Sequence, residues 1–418
     1  MIVGIGASAG GLEAFKTFFA HMPADGELAF VLVQHLAPDH QSLLAELLGR
    51  STAMPVLEAK QGMRVEPRHV YVIPPNATLT IADGVLQVCQ PAPPREHRWP
   101  INTFFTSLAE DQGDGAVCVV LAGTGSDGAK GLRAVKEHGG LTLAQSSYDH
   151  EAMTGMPANA VATGLVDSIM PVAEMPARLL AYQKQMHAAH SQKSPDGVRG
   201  DVATHLQTIC QLLHAEVGHD FSAYKEKTLM RRIQRRMLVV QSETVKDYIE
   251  HLKQHPNEHE LLFREFLIGV TGFFRDPAAF EALRTIAIPA MLADKSSDDV
   301  LRVWVPGCAT GEEAYSIAIA LREAIGSQRG LKVKIFATDI DDQAIDRARA
   351  GRYRAPLDGI SAERLERWFS KDHDDYCVVK QIREMCIFSP HSVIKDPPFS
   401  RMDLVSCRNL LIYLGNDL

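Results

Sequence analysis

A chain of 418 residues, 46% hydrophobic and 22% charged, has an ordinary globular composition and room for two or three domains with separate cores. Its formal net charge of -8, from 43 basic and 51 acidic side chains, argues against nonspecific nucleic-acid binding by the chain as a whole. No run approaches the ~20 apolar residues of a membrane span, the first residues read as a strand without a basic leader, and seven cysteines lacking C-x-x-C pairs argue against a disulfide framework or a zinc site; the expectation is a cytoplasmic protein without a metal.

Met1 to Ile5 predicts a short buried strand and Leu12-Glu13-Ala14-Phe15 opens an amphipathic helix, with Ser8 in the glycine-rich turn between them. Gly6-Ala7-Ser8-Ala9-Gly10 fits G-x-S-x-G, a strained turn that presents a serine between strand and helix. The same pattern also suits a dinucleotide-phosphate cradle. The next strand, Leu28 to Val33, discriminates, because it ends in Gln34-His35 where a dinucleotide site places an acid about 20 residues beyond the glycines. A hairpin is predicted around Asp83-Gly84, a stiff loop at Pro91-Ala92-Pro93-Pro94, and a helix from Ile101 to Leu108 and beyond.

The buried strand Ala116 to Leu121 runs into the glycine-rich loop Ala122 to Gly131, whose single acid, Asp127, is by itself as readily a helix N-cap as a functional group. Ser8, His35 and Asp127 all fall at carboxyl ends of strands, the rim where open α/β sheets bind ligands. A serine hydroxyl needs an imidazole to take its proton, and the imidazole needs a carboxylate to fix its tautomer. The order Ser, His, Asp differs from the Ser, Asp/Glu, His order of α/β-hydrolases, so a separate fold is expected.

Gly6-Ala7-Ser8-Ala9-Gly10-Gly11, Gln34-His35 and Gly123-Thr124-Gly125-Ser126-Asp127-Gly128-Ala129 resemble the signature blocks of the chemotaxis receptor methylesterase family, CheB, over residues 1 to about 180, with His97-Arg98 and Gly155-Met156-Pro157 in support. The resemblance implies a nucleophile at Ser8, a base at His35, an orienting acid at Asp127, and hydrolysis of glutamyl methyl esters on chemoreceptors. Familiar members carry a receiver domain ahead of the catalytic one; here the chain begins at the first strand, so that switch is expected to be absent or supplied otherwise.

Gln183 to Asp201 shows no apolar periodicity and reads as a linker. Helical patterns follow from Val202 to about Leu292, among them Leu229 to Met237, where Arg231, Arg232, Arg235 and Arg236 share a face that is either solvated surface or a docking site for acidic receptor helices. Leu301 to Val305 reads as a strand, Pro306-Gly307-Cys308-Ala309-Thr310-Gly311-Glu312-Glu313 as a glycine turn opening the helix Ala314 to Leu321, and Val333 to Ala337 as a second strand ending in Thr338-Asp339. A glycine turn with an acid after the second strand describes nucleoside-cofactor binding, and its departure from G-x-G-x-x-G speaks against a dinucleotide.

Val270 to Asp276, Gly307 to Glu313, Ala337 to Asp341 and Ser406 to Tyr413 resemble the blocks of the chemotaxis receptor methyltransferase family, CheR, over residues 205 to 418. The resemblance implies S-adenosyl-L-methionine as cofactor, contacted by Thr271, Arg275, Glu312 and Asp339, with Cys407-Arg408-Asn409 and Ser392-Val393 closing the pocket. Gly269 stands where familiar members have a side-chain amide.

The expected chain is α/β: a doubly wound parallel-sheet esterase domain over 1–182, a linker over 183–201, a small all-helical domain over 202–293, and a Rossmann-like methyltransferase domain over 294–418 whose sheet is C-terminally incomplete, through truncation or degradation. The leading expectation is a bifunctional enzyme that hydrolyses and forms glutamyl methyl esters on chemoreceptors or related signalling proteins, with one half gated or with sensory modules following. The alternative is a signalling scaffold with an active esterase and a methyltransferase-like domain that binds without turnover.

Overall fold

The computed structural model describes residues 1–35, 43–90, 99–147, 155–191, 198–267, 271–326, 330–354, 357, 359–373 and 375–415. His97, Arg98, Gly269 and the prolines between residues 91 and 94 lie outside the described residues. The chain divides into two compact units, Met1–Ile209 with Met230–Glu258, and Cys210–Leu229 with His259–Leu418.

The first unit opens with β1 (Ile2–Ala7), α1 (Gly11–Ala20), β2 (Ala29–Gln34), α2 (Leu44–Gly49), β3 (Val56–Glu58), β4 (Met63–Arg64), β5 (Val70–Val72), β6 (Thr78–Ala82) and β7 (Val85–Cys89). It continues with α3 (Pro100–Gln112), β8 (Ala116–Val120), α4 (Ala129–His138), β9 (Leu141–Gln145), α5 (Gly155–Ala162), β10 (Ser168–Met170) and α6 (Met175–Ser191). Seven strands form a parallel sheet in the order β10-β9-β8-β1-β2-β5-β3. The chain leaves β1 toward β2 and returns on its other side at β8, a reversal that opens a crevice at the carboxyl ends of β1 and β8. The expected hairpin is β6–β7, turning on Asp83 (φ 52°) and Gly84 (φ 70°), the left-handed pair that a two-residue I′ turn requires.

The sequence of β1 sets the distance between sheet and helix. Val3, Ile5 and Ala7 enter one core with Phe15 and Phe18, while Gly4 and Gly6 face α3 on the other side. A Cβ at Gly6 would stand 2.4 Å from Ile101 Cγ2, so glycine is what lets the N-terminus of α3 approach the sheet. Phe104, Phe105 and Leu108 are fully buried there, each contributing about 1.5–3 kcal/mol to holding α3 down.

The helices α7 (Val198–Val217), α8 (Glu226–Val240), α9 (Val245–Gln254), α10 (Pro256–Leu267), α11 (Pro277–Ala282) and α12 (Ile288–Ala293) follow, as the apolar periodicity predicts. Two expectations are corrected here. The stretch 183–201 is helical through Ser191 as the end of α6 and again from Val198 in α7. Leu179, Tyr182 and Met186, at helical spacing, sink into the first core, so α6 is anchored where the sequence looked polar.

The second correction concerns the arginines of α8. Arg232, Arg235 and Arg236 are 8%, 5% and 4% exposed, so they form neither a solvated face nor a docking face. Arg236 makes a bidentate pair with Glu258 (2.9 and 2.6 Å), which also accepts from Tyr248 Oη at 2.9 Å. Arg235 donates to the Gly139 and Gly140 carbonyls at 3.2 and 2.6 Å and to Asp167 Oδ2 at 2.6 Å; Lys136 donates to Oδ1 of the same carboxylate. Burial opposes ionisation of Asp167, but Arg235 and Lys136 outweigh it and hold the carboxyl well below the usual range.

The second unit is built on β11 (Val300–Pro306), α13 (Glu312–Ile325), β12 (Lys332–Asp339), α14 (Asp342–Ala350), β13 (Arg352–Arg354), α15 (Ala362–Trp368), β14 (Phe369–Asp372), β15 (Asp375–Val378), α16 (Lys380–Arg383), β16 (Cys386–Pro390) and β17 (Leu404–Val405). Four strands make a parallel sheet in the order β16-β12-β11-β17, reversing between β11 and β17. A three-stranded antiparallel sheet, β13-β15-β14, projects from residues 352–378 and had no counterpart in the sequence reading. Among the described residues no helix is long and apolar enough to cross a membrane.

Candidate functional sites

Ser8 follows β1 directly, its N–H donating to the Ala122 carbonyl after β8 at 2.9 Å, so the two loops that flank the crevice are tied together at this residue. Gln34 Nε2 donates to the Ser8 carbonyl at 3.2 Å from the end of β2. The left-handed residue of the turn is Gly10 (φ 81°), which starts α1, and not Ser8 itself. Gly123 lies against Ser8: a Cβ there would meet Ser8 Cβ at 2.8 Å and Met156 Sδ at 2.4 Å. Gly155-Met156 backs that loop through a bond from Met156 N to the Gly123 carbonyl (2.8 Å), and Gln145 Oε1 accepts from Ala122 N at 2.9 Å.

The three residues proposed from the sequence are brought together. His35 Nδ1 lies 3.2 Å from Ser8 Oγ, and His35 Nε2 lies 2.9 Å from Asp127 Oδ2. With Nε2–H donated to the carboxylate, Nδ1 is left as acceptor for the serine proton. Asp127 is 1% exposed and caps a helix, as its N-cap reading allows, but that helix is α3 and not its own. Its Oδ2 also accepts from Ile101 N (3.0 Å), and its Oδ1 from Asn102 N and Gly128 N (both 2.9 Å). The carboxylate thus sits at the positive end of α3 with four donors on its two oxygens, which fixes its plane against His35. Asn102 is a residue the sequence reading passed over.

In the second unit Glu312, Asp339 and Ser392 stand after or at the carboxyl ends of β11, β12 and β16 of the four-stranded sheet. After β11 the backbone turns through Gly307 (φ 67°), Ala309 (φ 45°) and Gly311 (φ 93°) before α13 begins at Glu312. Asp339, at the end of β12, accepts from Ala309 N (2.8 Å) and Asp341 N (3.0 Å), so its carboxylate is fastened to the glycine turn. Burial pushes the Asp339 carboxyl up, with the Asp341 and Ala309 backbone bonds pulling the other way. Ser392 follows β16, next to His391 whose N–H donates to the Asp339 carbonyl at 2.9 Å. Glu312 is 5% exposed and accepts from Thr310 Oγ1 at 2.6 Å.

Beyond β17, Arg408 donates to the Arg275 carbonyl (2.8 Å) and to Asp276 Oδ2 (2.6 Å), which brings the Cys407-Arg408-Asn409 turn to the segment carrying Thr271 and Arg275. Asn409 is left-handed (φ 59°), burial raises the Cys407 thiol, and Val393 stays 37% exposed. Glu313, the last residue of the Gly307 to Glu313 block and not among the predicted cofactor contacts, accepts from Ser406 Oγ at Oε1 (2.6 Å), and burial pushes its carboxyl up. Among the described residues no group of His, Cys, Asp and Glu is disposed to hold a metal.

Two parallel α/β sheets, each with its polar residues gathered at the carboxyl rim beside a reversal of strand order, define two enzyme-like sites, one built on a serine, histidine and aspartate and one on a glycine turn and an acid. Residues 3–179 match the CheB methylesterase family, residues 204–267 the all-alpha domain of CheR methyltransferases, and residues 269–417 the SAM binding domain of CheR methyltransferases. The chain belongs to the CheR methyltransferase family and carries a CheB methylesterase domain ahead of it.

An uncharacterized 104.1 kDa protein from the hypE 3' region of Rhodobacter capsulatus is 37% identical over 88% of this chain and 41% of its own length. The protein-glutamate methylesterase/protein-glutamine glutaminase 1 of Geobacter metallireducens is 36% identical over 43% of this chain and 50% of its own. Cher3 of Pseudomonas putida is 31% identical over 51% of this chain and 79% of its own. The chain therefore spans half or less of the first two relatives.

Proposed function

We propose that the chain is a bifunctional signalling enzyme that hydrolyses glutamyl methyl esters on chemoreceptors or related proteins and forms them from S-adenosyl-L-methionine. The observation that carries the esterase half is the unbroken line Ser8 Oγ, His35 Nδ1 at 3.2 Å, His35 Nε2 and Asp127 Oδ2 at 2.9 Å. Ser8 Oγ attacks the γ-ester carbonyl carbon while His35 Nδ1 takes its proton, and Asp127 stabilises the resulting imidazolium. The imidazolium returns that proton to the departing methoxide, releasing methanol and leaving an acyl-serine. A water then attacks the acyl carbon, losing a proton to His35, which passes it to Ser8 Oγ as the acyl bond breaks; the glutamic acid formed loses its own proton to solvent as the carboxylate product. The Geobacter relative's name pairs this activity with glutaminase, and the same serine addition serves a carboxamide with ammonia as leaving group.

For the second half, the donor set suits S-adenosyl-L-methionine. A fastened, ionisable Asp339 beside a left-handed glycine turn matches ribose hydroxyls, while Arg408, paired with Asp276 and bonded to the Arg275 carbonyl, ties the Cys407-Arg408-Asn409 turn to the segment before α11. When bound, the cofactor supplies an electrophilic methyl group on its sulfonium sulfur. The chain's part is to hold and orient: Asp339 and Glu312 at the sheet rim, Thr271 and Arg275 before α11, and Ser392-Val393 and Cys407-Arg408-Asn409 around the opening. A glutamate carboxylate of ordinary pKa ~4.3 is already ionised at neutral pH, so the site needs no general base. Alignment alone is worth up to ~7–11 kcal/mol.

The esterase half is tested by Ser8→Ala: methanol release from a pre-methylated receptor fragment should vanish, while folding and cofactor binding by the second unit persist. Full methanol release by Ser8→Ala would remove the nucleophile from the scheme. The methyltransferase half is tested by calorimetric titration of the whole chain with S-adenosyl-L-methionine, where the expected result is one saturable site.

A further inference from the structure

The N-termini of α3 and α4 cap each other. Helix α3 begins after Trp99, which makes no side-chain cap, and the N–H groups of its residues Ile101 and Asn102 are taken by Asp127 from the loop that precedes α4. Helix α4 begins after Gly128, which has no side chain to cap with, and the N–H groups of Gly128 and Gly131 are taken by Asn102 Oδ1 from α3, at 3.0 and 2.8 Å. Each helix thus supplies the acceptor that the other's first turn lacks. Asn102 is 5% exposed, and among the described residues its Nδ2 has no hydrogen-bond partner. The amide is held in the interior by its oxygen.

We propose that Asn102 is a positioning residue for the esterase, acting through Asp127. The inference rests on the proposed Ser8, His35 and Asp127 triad and names a residue outside it. Gly128 carries φ 94°, immediately after Asp127, and its N–H is shared by Asn102 Oδ1 and Asp127 Oδ1. Removing the Asn102 oxygen takes this acceptor from Gly131 N–H and leaves Gly128 N–H to Asp127 Oδ1 alone, which loosens the backbone that aims the Asp127 carboxylate at His35 Nε2. Asn102 touches neither His35 nor Ser8 in any bond on this network, so its effect is on the pose of the acid and not on substrate.

The test uses the whole chain and a peptide carrying glutamyl γ-methyl esters, reading kcat and KM for methanol release. Asn102→Ala should lower kcat about ten- to a hundredfold, the scale of an ångström's misplacement of a catalytic group, with KM within twofold of wild type. Asn102→Asp is not a rescue, because its carboxylate would share the Gly128 N–H with Asp127 and repel it. If Asn102→Ala does not fold, Asn102→Ser, with a shorter-reaching acceptor, should show the same fall in kcat at constant KM. Wild-type kcat in a folded Ala or Ser variant overturns the inference. Ser8→Ala measured alongside separates the two levels. A dead Ser8→Ala beside a fully active Asn102→Ala removes only the role of Asn102, whereas an active Ser8→Ala removes the triad and this inference with it.

Discussion

Asp127, in the loop that follows β8, and Asp339, the last residue of β12, both belong to the carboxyl ends of parallel strands, and their surroundings suit them to different work. Asp127 is closed on every side by donors, among them His35, Ile101, Asn102 and Gly128. Asp339 is fastened by backbone N–H groups but pushed up by burial, so its charge is held against a desolvation cost. A carboxyl whose native pKa lies above its unfolded value binds more protons folded than unfolded, and its ionisation at neutral pH lowers stability. Asp339→Asn removes that charge but turns its NH2 toward one of the two backbone N–H groups, so its effects on stability oppose each other, and it should weaken S-adenosyl-L-methionine binding by about 1.5–3 kcal/mol, the worth of a hydrogen bond to a charged group. In the wild type, calorimetric affinity should fall as pH drops through the raised pKa of Asp339, at a higher pH than an ordinary carboxylate would give. An affinity flat across that range would mean that the acid does not face the cofactor. An acid at the carboxyl end of an apolar strand, or in the glycine-rich loop that follows one, is a short-range pattern, and it is how the sequence points to Asp339 and Asp127. Asn102 was not legible, because its partners Gly128 and Gly131 meet it only through the packing of α3 on the sheet.

The elements followed the hydrophobic pattern closely where that pattern is local. β1, β2, β8, β11 and β12 each appear within about two residues of the apolar runs that announced them, in keeping with the usual uncertainty of boundaries. The failures have one physical cause, which is that the decisive contact is distant in the chain. The α8 arginines lacked a nearby acid beyond Glu226, and the structure supplies Asp167 before β10 and Glu258 in α10. Gln183 to Ser191 looked like a linker because its apolar anchors are sparse, yet Tyr182 and Met186 suffice to hold α6. Breaking the Arg235 cluster should be costly: Asp167→Asn leaves a buried guanidinium uncompensated, and about 3–5 kcal/mol should be lost from the unfolding free energy of the first unit. The sign with pH is opposite to that of Asp339. Asp167 has a depressed native pKa, so its contribution is fully present above its unfolded value of ~3.9 and is lost only as pH falls below that toward the native value. Urea denaturation of the wild type at pH 5 and pH 8 should show no difference attributable to this cluster, and an Asp167→Asn variant as stable as wild type would deny it any structural weight.

At the scale of the whole molecule, one chain carries a CheB methylesterase domain and CheR methyltransferase domains, which the proposed function makes the eraser and the writer of one modification, and the Rhodobacter capsulatus relative aligns across both over 391 residues. Acting together on one receptor, the two halves would convert S-adenosyl-L-methionine into methanol with no net change in the protein, so their separate rates carry the meaning. The most direct measurement is to incubate the full chain with a purified receptor cytoplasmic fragment and methyl-labelled S-adenosyl-L-methionine, and to follow label on the receptor and label in volatile methanol. The wild type should pass label from receptor to methanol, Ser8→Ala should accumulate it on the receptor with no methanol formed, and Asp339→Ala should leave both pools nearly empty. Methanol release by Ser8→Ala at the wild-type rate, or receptor labelling unchanged by Asp339→Ala, would contradict the account.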